Sequence, residues 1–330
     1  MIEHIRRSFP GNFARSRGIT LGIGDDCAIL RPPRGHEVLI TTDFSLENRH
    51  FRRDLHPPQS VGHRCLARGL SDLAAMGATP LAAFLSLALP ARLLRLKRGQ
   101  AWLVGFLEGM RTLAAQSRTT LAGGDTSESP ADLILADIVL VGTAPRGRAL
   151  RRSTARPGDQ IYITGSLGGA HAELTALLSA NRPSKAKPHD VHPHFYPQPR
   201  LGVGRDLLRR RLATSAIDLS DGLSTDLAHL CESSGVRAEV NAASLPLHPL
   251  TQKLSQNDAL HAALNGGEDY ELLFTAAPTT HVPKKIAGVP ITRIGSIHRP
   301  AANRPRVTLV DDEGRRNELR SAGWEHLAGR

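Results

Sequence analysis

The fold class follows first from residues 60–89, which read SVGHRCLARGLSDLAAMGATPLAAFLSLAL. Through residues 60–77 the apolar and small residues recur at helical spacing, with Ser60 as a plausible N-cap, so this half predicts an amphipathic helix. Residues 81–89 form an almost continuous apolar run, which predicts a buried strand. A helix followed by a strand in this way indicates an α/β or α+β architecture.

The same alternation continues on both sides of this stretch. Further strands are predicted at residues 37–42, 133–141 and 160–164, and a long amphipathic helix is predicted at residues 92–116. A chain of 330 residues is long enough for about two domains of ordinary size. We place the boundary near residue 150, in a polar and turn-rich stretch, which gives an N-terminal domain of residues 1–150 and a C-terminal domain of residues 151–330.

The composition, with 40% hydrophobic and 22% charged residues, is that of a globular protein. Its 42 Lys and Arg residues exceed its 31 Asp and Glu residues, which gives a formal net charge of +11. The arginines are scattered, and their tightest runs, at residues 146–156 and 209–211, have no neighbouring aromatic residues, so we favour an ordinary charged surface over a nucleic-acid interface. The apolar run at residues 81–91 is too short to cross a membrane. Because residues 1–7 lack a secretory apolar segment, we expect a cytoplasmic protein.

The cysteine and histidine patterns predict no structural metal site. Cys27, Cys65 and Cys231 are far apart and form no C-x-x-C pair, and we interpret Cys27 as a small buried packing residue. The pair His192-Pro193-His194 has the look of a metal-binding motif, but it lies within residues 181–199, which are rich in proline and histidine. We therefore interpret these residues as a long loop.

Acidic residues recur beside glycines or hydroxyl residues, at tight turns or predicted strand ends. The five places are residues 22–26, 41–43, 123–126, 218–222 and 266–270. Each alone is explained by turn chemistry. Together they predict a nucleotide site that holds several Mg²⁺ ions, because ligands bind at strand ends in α/β sheets and Mg²⁺ prefers carboxylate and hydroxyl oxygens. Asp72 is a sixth element, since it lies on the apolar stripe of the helix at residues 60–77, where a carboxylate needs a cation or strong donors.

The usual phosphate-binding loop is missing, because no Gly-Lys dipeptide occurs anywhere in the sequence. Phosphate binding is therefore expected to depend mainly on metal ions.

These motifs resemble, in kind and order, those of the thiamine-monophosphate kinase family. The family motifs are GIGDD at residues 22–26, TTD at 41–43 followed by His50-Phe51, LSDLAAMGA at 70–78, GGDT at 123–126, DLSDGL at 218–223 and GGEDYEL at 266–272. The resemblance covers about residues 20–327. It implies the two-domain fold of the aminoimidazole ribonucleotide synthase superfamily, with mixed sheets and packed helices. It also implies ATP-dependent phosphorylation of thiamine monophosphate, and a homodimer formed through the N-terminal domain, which binds ATP and Mg²⁺, while the C-terminal domain completes the active site.

The resemblance also assigns roles to single residues, which we keep as expectations. The implied Mg²⁺ ligands are Asp26, Thr41, Thr42, Asp43, Asp72, Asp125, Asp218 and Asp221. The implied ATP contacts are Gly124, Asp125, Arg152 and Ser220, and the implied substrate contacts are His50, Glu268 and Trp324. Asp43, Asp125, Asp221 and Arg152 are the expected catalytic residues. Asn48 stands where the family commonly has glycine, and asparagine tolerates the left-handed backbone nearly as well.

Two alternatives remain open at this point. One is another ATP-dependent enzyme of the same superfamily, which makes aminoimidazole ribonucleotide or selenophosphate. The other is a basic nucleic-acid-binding protein, which predicts that the acidic motifs are dispensable and that binding weakens steeply with salt.

Overall fold

The protein is described by a computed structural model that covers residues 9, 18–188, 190 and 192–324. The chain forms two compact units. Unit 1 comprises Met1–Leu73, Ala78–Gly147 and Leu177–Pro197, and unit 2 comprises Ala74–Gly77, Arg148–Ala176 and Gln198–Arg330. Within the described part of the chain, no helix is both long enough and apolar enough to cross a membrane.

Unit 1 contains a four-stranded mixed sheet. Its described strands are β1 (Ile19–Leu21), β2 (Ile29–Leu30), β3 (His36–Leu46), β4 (Thr79–Leu89), β5 (Thr120–Glu128) and β6 (Leu135–Pro145). The sheet order is β3-β6-β4-β5, and β1 and β2 form a separate two-stranded sheet. Strands β3 and β4 both pair with β6 in antiparallel fashion, whereas β4 and β5 are parallel. A parallel pair needs a long crossover, which the helices after β4 supply.

The helices of unit 1 pack closely on one another. They are α1 (Pro58–Ala75), α2 (Ala91–Leu94) and α3 (Lys97–Ser117). Gly109 on α3 permits the close contact between α3 and α1, because a Cβ atom there would lie 1.8 Å from the Gln59 carbonyl oxygen on α1. Leu70 on α1, Phe106 on α3 and Leu140 on β6 are fully buried, so α1 and α3 supply much of the core beneath the sheet.

Unit 2 is built on a larger mixed sheet. Its strands are β7 (Gln160–Thr164), β8 (Ser215–Asp218), β9 (Arg237–Asn241), β10 (Leu272–Ala276), β11 (Lys285–Ile286), β12 (Val289–His298), β13 (Val307–Val310) and β14 (Arg316–Glu318). The order is β14-β13-β9-β12-β7-β10-β8, with β11 paired to β12. Its helices are most of α4 (Gly169–Ala180) and all of α5 (Leu201–Arg209), α6 (Leu223–Ser234) and α7 (Gln256–Asn265). The predicted fold class, α/β with mixed sheets and packed helices, is confirmed.

Several local predictions were wrong. Ser60 is not an N-cap, because α1 begins at Pro58 and the Ser60 hydroxyl donates to the Pro57 carbonyl. The helix predicted at residues 92–116 is two helices, α2 and α3. Residues 41–43 lie in the middle of β3 rather than at a strand end, and residues 123–126 continue β5 instead of forming a turn. Cys27 is exposed, not buried.

Candidate functional site

The first group of predicted site residues lies where α1 packs on β3 in unit 1. Thr41 and Asp43 lie two residues apart on β3, so both are on the face that α1 covers. The Thr41 hydroxyl donates a hydrogen bond to Oδ2 of Asp72 on α1. Arg68, one helical turn before Asp72, places Nε 3.8 Å from Asp43 Oδ1. We call Asp43 and Asp72 the β3 acidic cluster; Asp137 on β6 is paired with Phe44 and lies on the other face of the sheet. The structure therefore brings Thr41, Asp43 and Asp72 together, as expected from the motifs.

The β3 acidic cluster carries more negative charge than its surroundings offset. Burial, together with the charges of Asp72 and Asp137, raises the pKa of Asp43 to about 6, although Arg68 acts in the opposite direction. A carboxylate with such a pKa gains from a bound cation, because the cation removes the repulsion that penalises its ionised form.

Thr42 lies on the opposite face of β3, away from Thr41 and Asp43. Its hydroxyl donates to Asp137 Oδ1 at 2.7 Å. Asp137 was missed by the sequence analysis. Its signal was available, because Asp137 interrupts the apolar run of β6 between Ala136 and Ile138.

A second group in unit 1 lines a cavity of about 780 Å³, which falls within the range of small-molecule sites. Its walls include Asp25, Asp26, Gly124 and Asp125. Asp25 and Asp125 each accept a bond from the backbone N–H of the following residue, at 2.9 and 2.8 Å. Only glycine fits at position 124, because its φ is +143° and a Cβ atom would lie 1.9 Å from the Leu85 carbonyl oxygen. Backbone without side chains leaves room for a ligand at this wall.

His50 occupies a tight turn directly after β3. Its Nδ1 accepts the Leu46 N–H at 2.9 Å, and its carbonyl accepts a bond from the buried Arg64 guanidinium at 2.9 Å. Asn48 has φ +66°, which confirms the expected left-handed backbone at the position where the family commonly has glycine. Hydrogen bonds to the His50 ring and to the His50 carbonyl therefore fix the conformation of this turn.

In unit 2, carboxylates gather where β8 leads into α6. Asp218 is the last residue of β8 and is buried. Asp226 on α6 accepts bonds from the N–H groups of Asp221 and Gly222, at 3.1 and 3.0 Å. Burial and the charges of Asp218 and Asp221 raise the pKa of Asp226 well above its usual value. Asp226, which sequence reasoning missed, thus fixes the turn that carries Asp221.

The glycine-rich segment at residues 266–270 runs alongside that turn. The N–H groups of Glu268 and Tyr270 donate to the carbonyls of Ser220 and Leu219, at 2.8 and 3.0 Å. Glu268 and Tyr270 have φ values of +57° and +50°, in the left-handed region that costs non-glycine residues free energy. Such strain is retained where the surrounding structure over-determines the backbone, which is common at binding sites. The structure brings Ser220, Asp221 and Glu268 together.

Trp324 lies beside this group. Its backbone N–H donates to the Asp221 carbonyl at 3.1 Å, and the residue is 43% exposed. Asp221, Thr225 and Trp324 are among the residues that line a cavity of about 590 Å³. An exposed indole in the lining of such a cavity offers a flat face to a ring-shaped ligand.

Arg152 lies elsewhere in unit 2, close to the start of β8. Its carbonyl accepts the hydroxyls of Ser215 and Ser234 at 3.3 and 2.7 Å, and its side chain is exposed. The backbone of Arg152 is thus fixed while its guanidinium remains at the surface.

His194 lies in the segment interpreted above as a long loop, and its side chain is buried. Its Nε2 lies 3.0 Å from His56 Nε2 and 3.3 Å from Arg64 Nη1. The neighbouring guanidinium makes this a structural contact and disfavours a bound cation. The described residues of 181–199 form no helix or strand, so the loop interpretation is confirmed, although His194 within that loop is buried.

No group of three or more His, Cys, Asp or Glu side chains among the described residues is already arranged to hold a metal ion. The donor sets nevertheless suit Mg²⁺, because they consist of carboxylate and hydroxyl oxygens, which are the ligands this hard cation prefers. Mg²⁺ commonly binds one or two protein carboxylates, and substrate phosphates and water complete its shell. The residues present therefore fit Mg²⁺ ions that bind together with a phosphate ligand.

Comparison with protein families gives a consistent result for both halves of the chain. Residues 24–144 match the N-terminal domain of AIR synthase related proteins, and residues 156–297 match the C-terminal domain. A curated relative, the thiamine-monophosphate kinase of Escherichia coli K12, is 40% identical over 317 residues. The match covers 94% of this chain and 93% of the relative.

Comparison with solved structures points to the same family as the sequence comparison. The thiamine-monophosphate kinase from Stenotrophomonas maltophilia K279a is 34% identical, with a TM-score of 0.78 and 96% of each chain covered. AaThiL complexed with AMPPCP and TMP is 28% identical, with a TM-score of 0.76 and coverage of 99% of this chain and 96% of that chain.

Asp269 gives a prediction about proton binding near the strained segment. Its carboxylate accepts the N–H groups of Gly168 and Ala170 at 2.7 and 3.1 Å, yet burial raises its pKa to about 7. In the unfolded chain the pKa is close to 4. Between these values the folded state binds the extra proton, so the stability contributed by this group is complete below pH 4 and is lost as the pH rises to 7.

We expect the ¹³C NMR signal of the Asp269 carboxyl to titrate near pH 7. Asp269→Asn identifies the signal by removing it, and it should also reduce the fall in unfolding free energy between pH 5 and pH 8. A titration midpoint near pH 4 would contradict the prediction.

Proposed function

The chain belongs to the thiamine-monophosphate kinase family, and we propose that it transfers the γ-phosphate of ATP to the phosphate of thiamine monophosphate, which yields thiamine diphosphate and ADP. The observation that carries this proposal is the grouping of the motif carboxylates in both units, in a chain whose relatives include a kinase structure with AMPPCP and TMP. Membership of this family makes the protein a phosphotransferase.

The chemistry needs charge control more than a strong base. The attacking group is a phosphate oxygen of thiamine monophosphate, which is already anionic near neutral pH. The main obstacle is the repulsion between this phosphate and the γ-phosphate of ATP. Mg²⁺ ions, when bound, would neutralise the phosphates and help to hold the attacking and leaving oxygens in line.

The chain's own residues would fix the positions of these charges. We propose that the Mg²⁺ ions are held by the carboxylates of both units with two threonines, namely Asp26, Asp43, Asp72, Asp125, Asp218, Asp221, Thr41 and Thr42. The hydrogen bond from Thr41 orients the Asp72 carboxylate, and Asp226 anchors the backbone that carries Asp221. Fixed carboxylates avoid a reorganisation cost during the transfer, which favours the charged transition state.

We propose that ATP binds at the cavity lined by Gly124 and Asp125, with Ser220 and the exposed guanidinium of Arg152 as further phosphate contacts. Thiamine monophosphate would be bound by His50, Glu268 and Trp324. The exposed face of the Trp324 indole suits the positively charged thiazolium ring through a cation–π contact, and Glu268 supplies opposite charge.

The activity is tested with ATP, thiamine monophosphate and Mg²⁺, with thiamine diphosphate measured by chromatography. We expect Asp43→Asn and Asp221→Asn each to reduce kcat by about a hundredfold or more, because each removes a charge that offsets the approach of two phosphates. Asp312→Asn, at an exposed position outside the motifs, is the matched control and should retain full activity. Failure of the wild-type protein to form thiamine diphosphate would overturn the proposed function.

The in-line transfer has its own test. With ATP made chiral at the γ-phosphorus by isotopic labelling, direct transfer to thiamine monophosphate inverts the configuration of the transferred group. A phosphoenzyme intermediate would give two inversions and hence retention. We expect inversion, because the proposed mechanism has no protein nucleophile; retention would disprove the direct step.

We also propose that the protein is a homodimer formed through unit 1. The face of β3 opposite α1 exposes Val38, Ile40 and Phe44, of which Ile40 is 69% and Phe44 is 60% exposed. Three large apolar side chains in register on one strand form a patch that a second copy of the sheet could cover.

Substitution of this patch tests the dimer. We expect Ile40→Lys combined with Phe44→Lys to shift the protein to monomers in light scattering, because burying either apolar side chain is worth about 1.5–3 kcal/mol. Val104→Lys alters another exposed apolar residue of unit 1, on α3, and should leave the oligomeric state unchanged. A wild-type protein that is monomeric at micromolar concentration would refute the dimer.

A further inference from the structure

Arg68 is a positive charge inside the β3 acidic cluster, and the reaction derived above gives it no part. It lies on α1 one turn before Asp72, and its side chain is only 14% exposed. Its Nε is 3.8 Å from Asp43 Oδ1. The guanidinium thus lies close to Asp43, one of the carboxylates that the proposed function assigns to Mg²⁺.

The charge of Arg68 changes the free energy of the cluster before any metal ion arrives. The Arg68 guanidinium approaches the Asp43 carboxylate to 3.8 Å in a partly buried place, so its positive charge offsets negative charge there. Two carboxylates in a partly buried place repel each other strongly, so a neighbouring cation stabilises the metal-free protein. Packing alone does not require this charge, because apolar side chains of similar volume commonly replace buried ion pairs without loss of stability.

The positive charge of Arg68 also opposes the binding of a metal cation to the same carboxylates. A guanidinium a few ångströms from the carboxylates repels an ion that binds to them, and it also offsets part of the negative charge that attracts that ion. The stabilisation that Arg68 gives the metal-free state therefore appears as weaker metal binding, since both states share the same carboxylates.

We propose that Arg68 is a built-in counter-ion of the β3 acidic cluster, which stabilises the metal-free protein and lowers the affinity of the cluster for Mg²⁺. This inference rests on the proposed function, which assigns Asp43 and Asp72 as ligands. Arg68 is a positioning and tuning residue here and contacts no reacting atom.

The experiment measures metal binding directly, with Mn²⁺ alone as a paramagnetic substitute for Mg²⁺ and no nucleotide present. We expect R68M to bind Mn²⁺ about 3- to 30-fold more tightly than the wild type, as seen by loss of the free-ion EPR signal. R68K keeps the charge and should stay within about threefold of the wild type. The metal-free melting temperature of R68M should fall by several degrees, and saturating Mn²⁺ should remove most of that deficit.

Arg53→Met provides a matched control within unit 1. Arg53 pairs with the buried Glu47 at 2.9 Å, so its loss should also lower the melting temperature. Because Arg53 is not part of the β3 acidic cluster, Mn²⁺ affinity should not change. This comparison separates the loss of any arginine–carboxylate pair from the loss of the counter-ion.

The possible results are distinct. Unchanged or weaker Mn²⁺ binding by R68M would overturn the inference, since Arg68 would then only pack or orient Asp43. A failure of both R68M and R68Q to fold would overturn it as well, because Arg68 would be a folding requirement. If the wild-type protein forms thiamine diphosphate with Mg²⁺ but its Mn²⁺ binding is unaffected by Asp43→Asn, the ligand assignment fails while the proposed activity stands.

Discussion

Repulsion between carboxylates held close together is the constraint on which the arrangement of this protein depends. Asp43 and Asp72 are brought together by the packing of α1 on β3, and Asp218, Asp221 and Asp226 by the turn between β8 and α6. Neither grouping is favourable by itself, because desolvation and like charge both penalise the ionised forms. The surrounding structure must therefore supply the free energy that holds these residues in place.

Each unit meets this requirement with rigid backbone. In unit 1, β3 pairs with β6 along its whole length, from His36 to Leu46, so Thr41 and Asp43 cannot move apart from the sheet. In unit 2, the two motif segments are joined by backbone hydrogen bonds, and the strained residues Glu268 and Tyr270 are held by the same bonds. Rigid support of this kind preorganises charge for phosphoryl transfer, which depends mainly on positioning and electrostatics.

Much of the fold could be predicted from sequence, because hydrophobic periodicity is a local signal. It located α1, β4 and β7 and the mixed α/β class. It failed where long-range pairing overrides local preference: Gly123 and Gly124 suggest a turn, yet β4 pairs alongside them and extends β5 to Glu128. Likewise, Asp43 appeared to end a strand because aspartate is a poor strand former, but the ladder with β6 continues past it.

The site could be predicted only as far as the motifs reach. Asp43, Asp72 and Asp221 stand in recognisable segments, whereas Asp137, Asp226 and Arg68 act through the charges that tertiary packing brings near them. A single sequence gives no measure of that proximity. His194 shows the same limit, since its ring contacts that of His56, which lies far away in the chain.

Unit 1 is built from three separate segments of the chain, and this has a consequence for its folding during synthesis on the ribosome. Leu55 accepts a backbone bond from Ser184, and the His63 ring contacts the Pro197 carbonyl, so unit 1 is complete only when residue 197 has left the ribosome. Before that point the ribosome must make Arg148–Ala176, which belongs to unit 2. Because synthesis proceeds at about 5–20 residues per second, unit 1 remains incomplete for several seconds, with part of its surface uncovered. Exposed surface of this kind is prone to aggregation, which chaperones counteract.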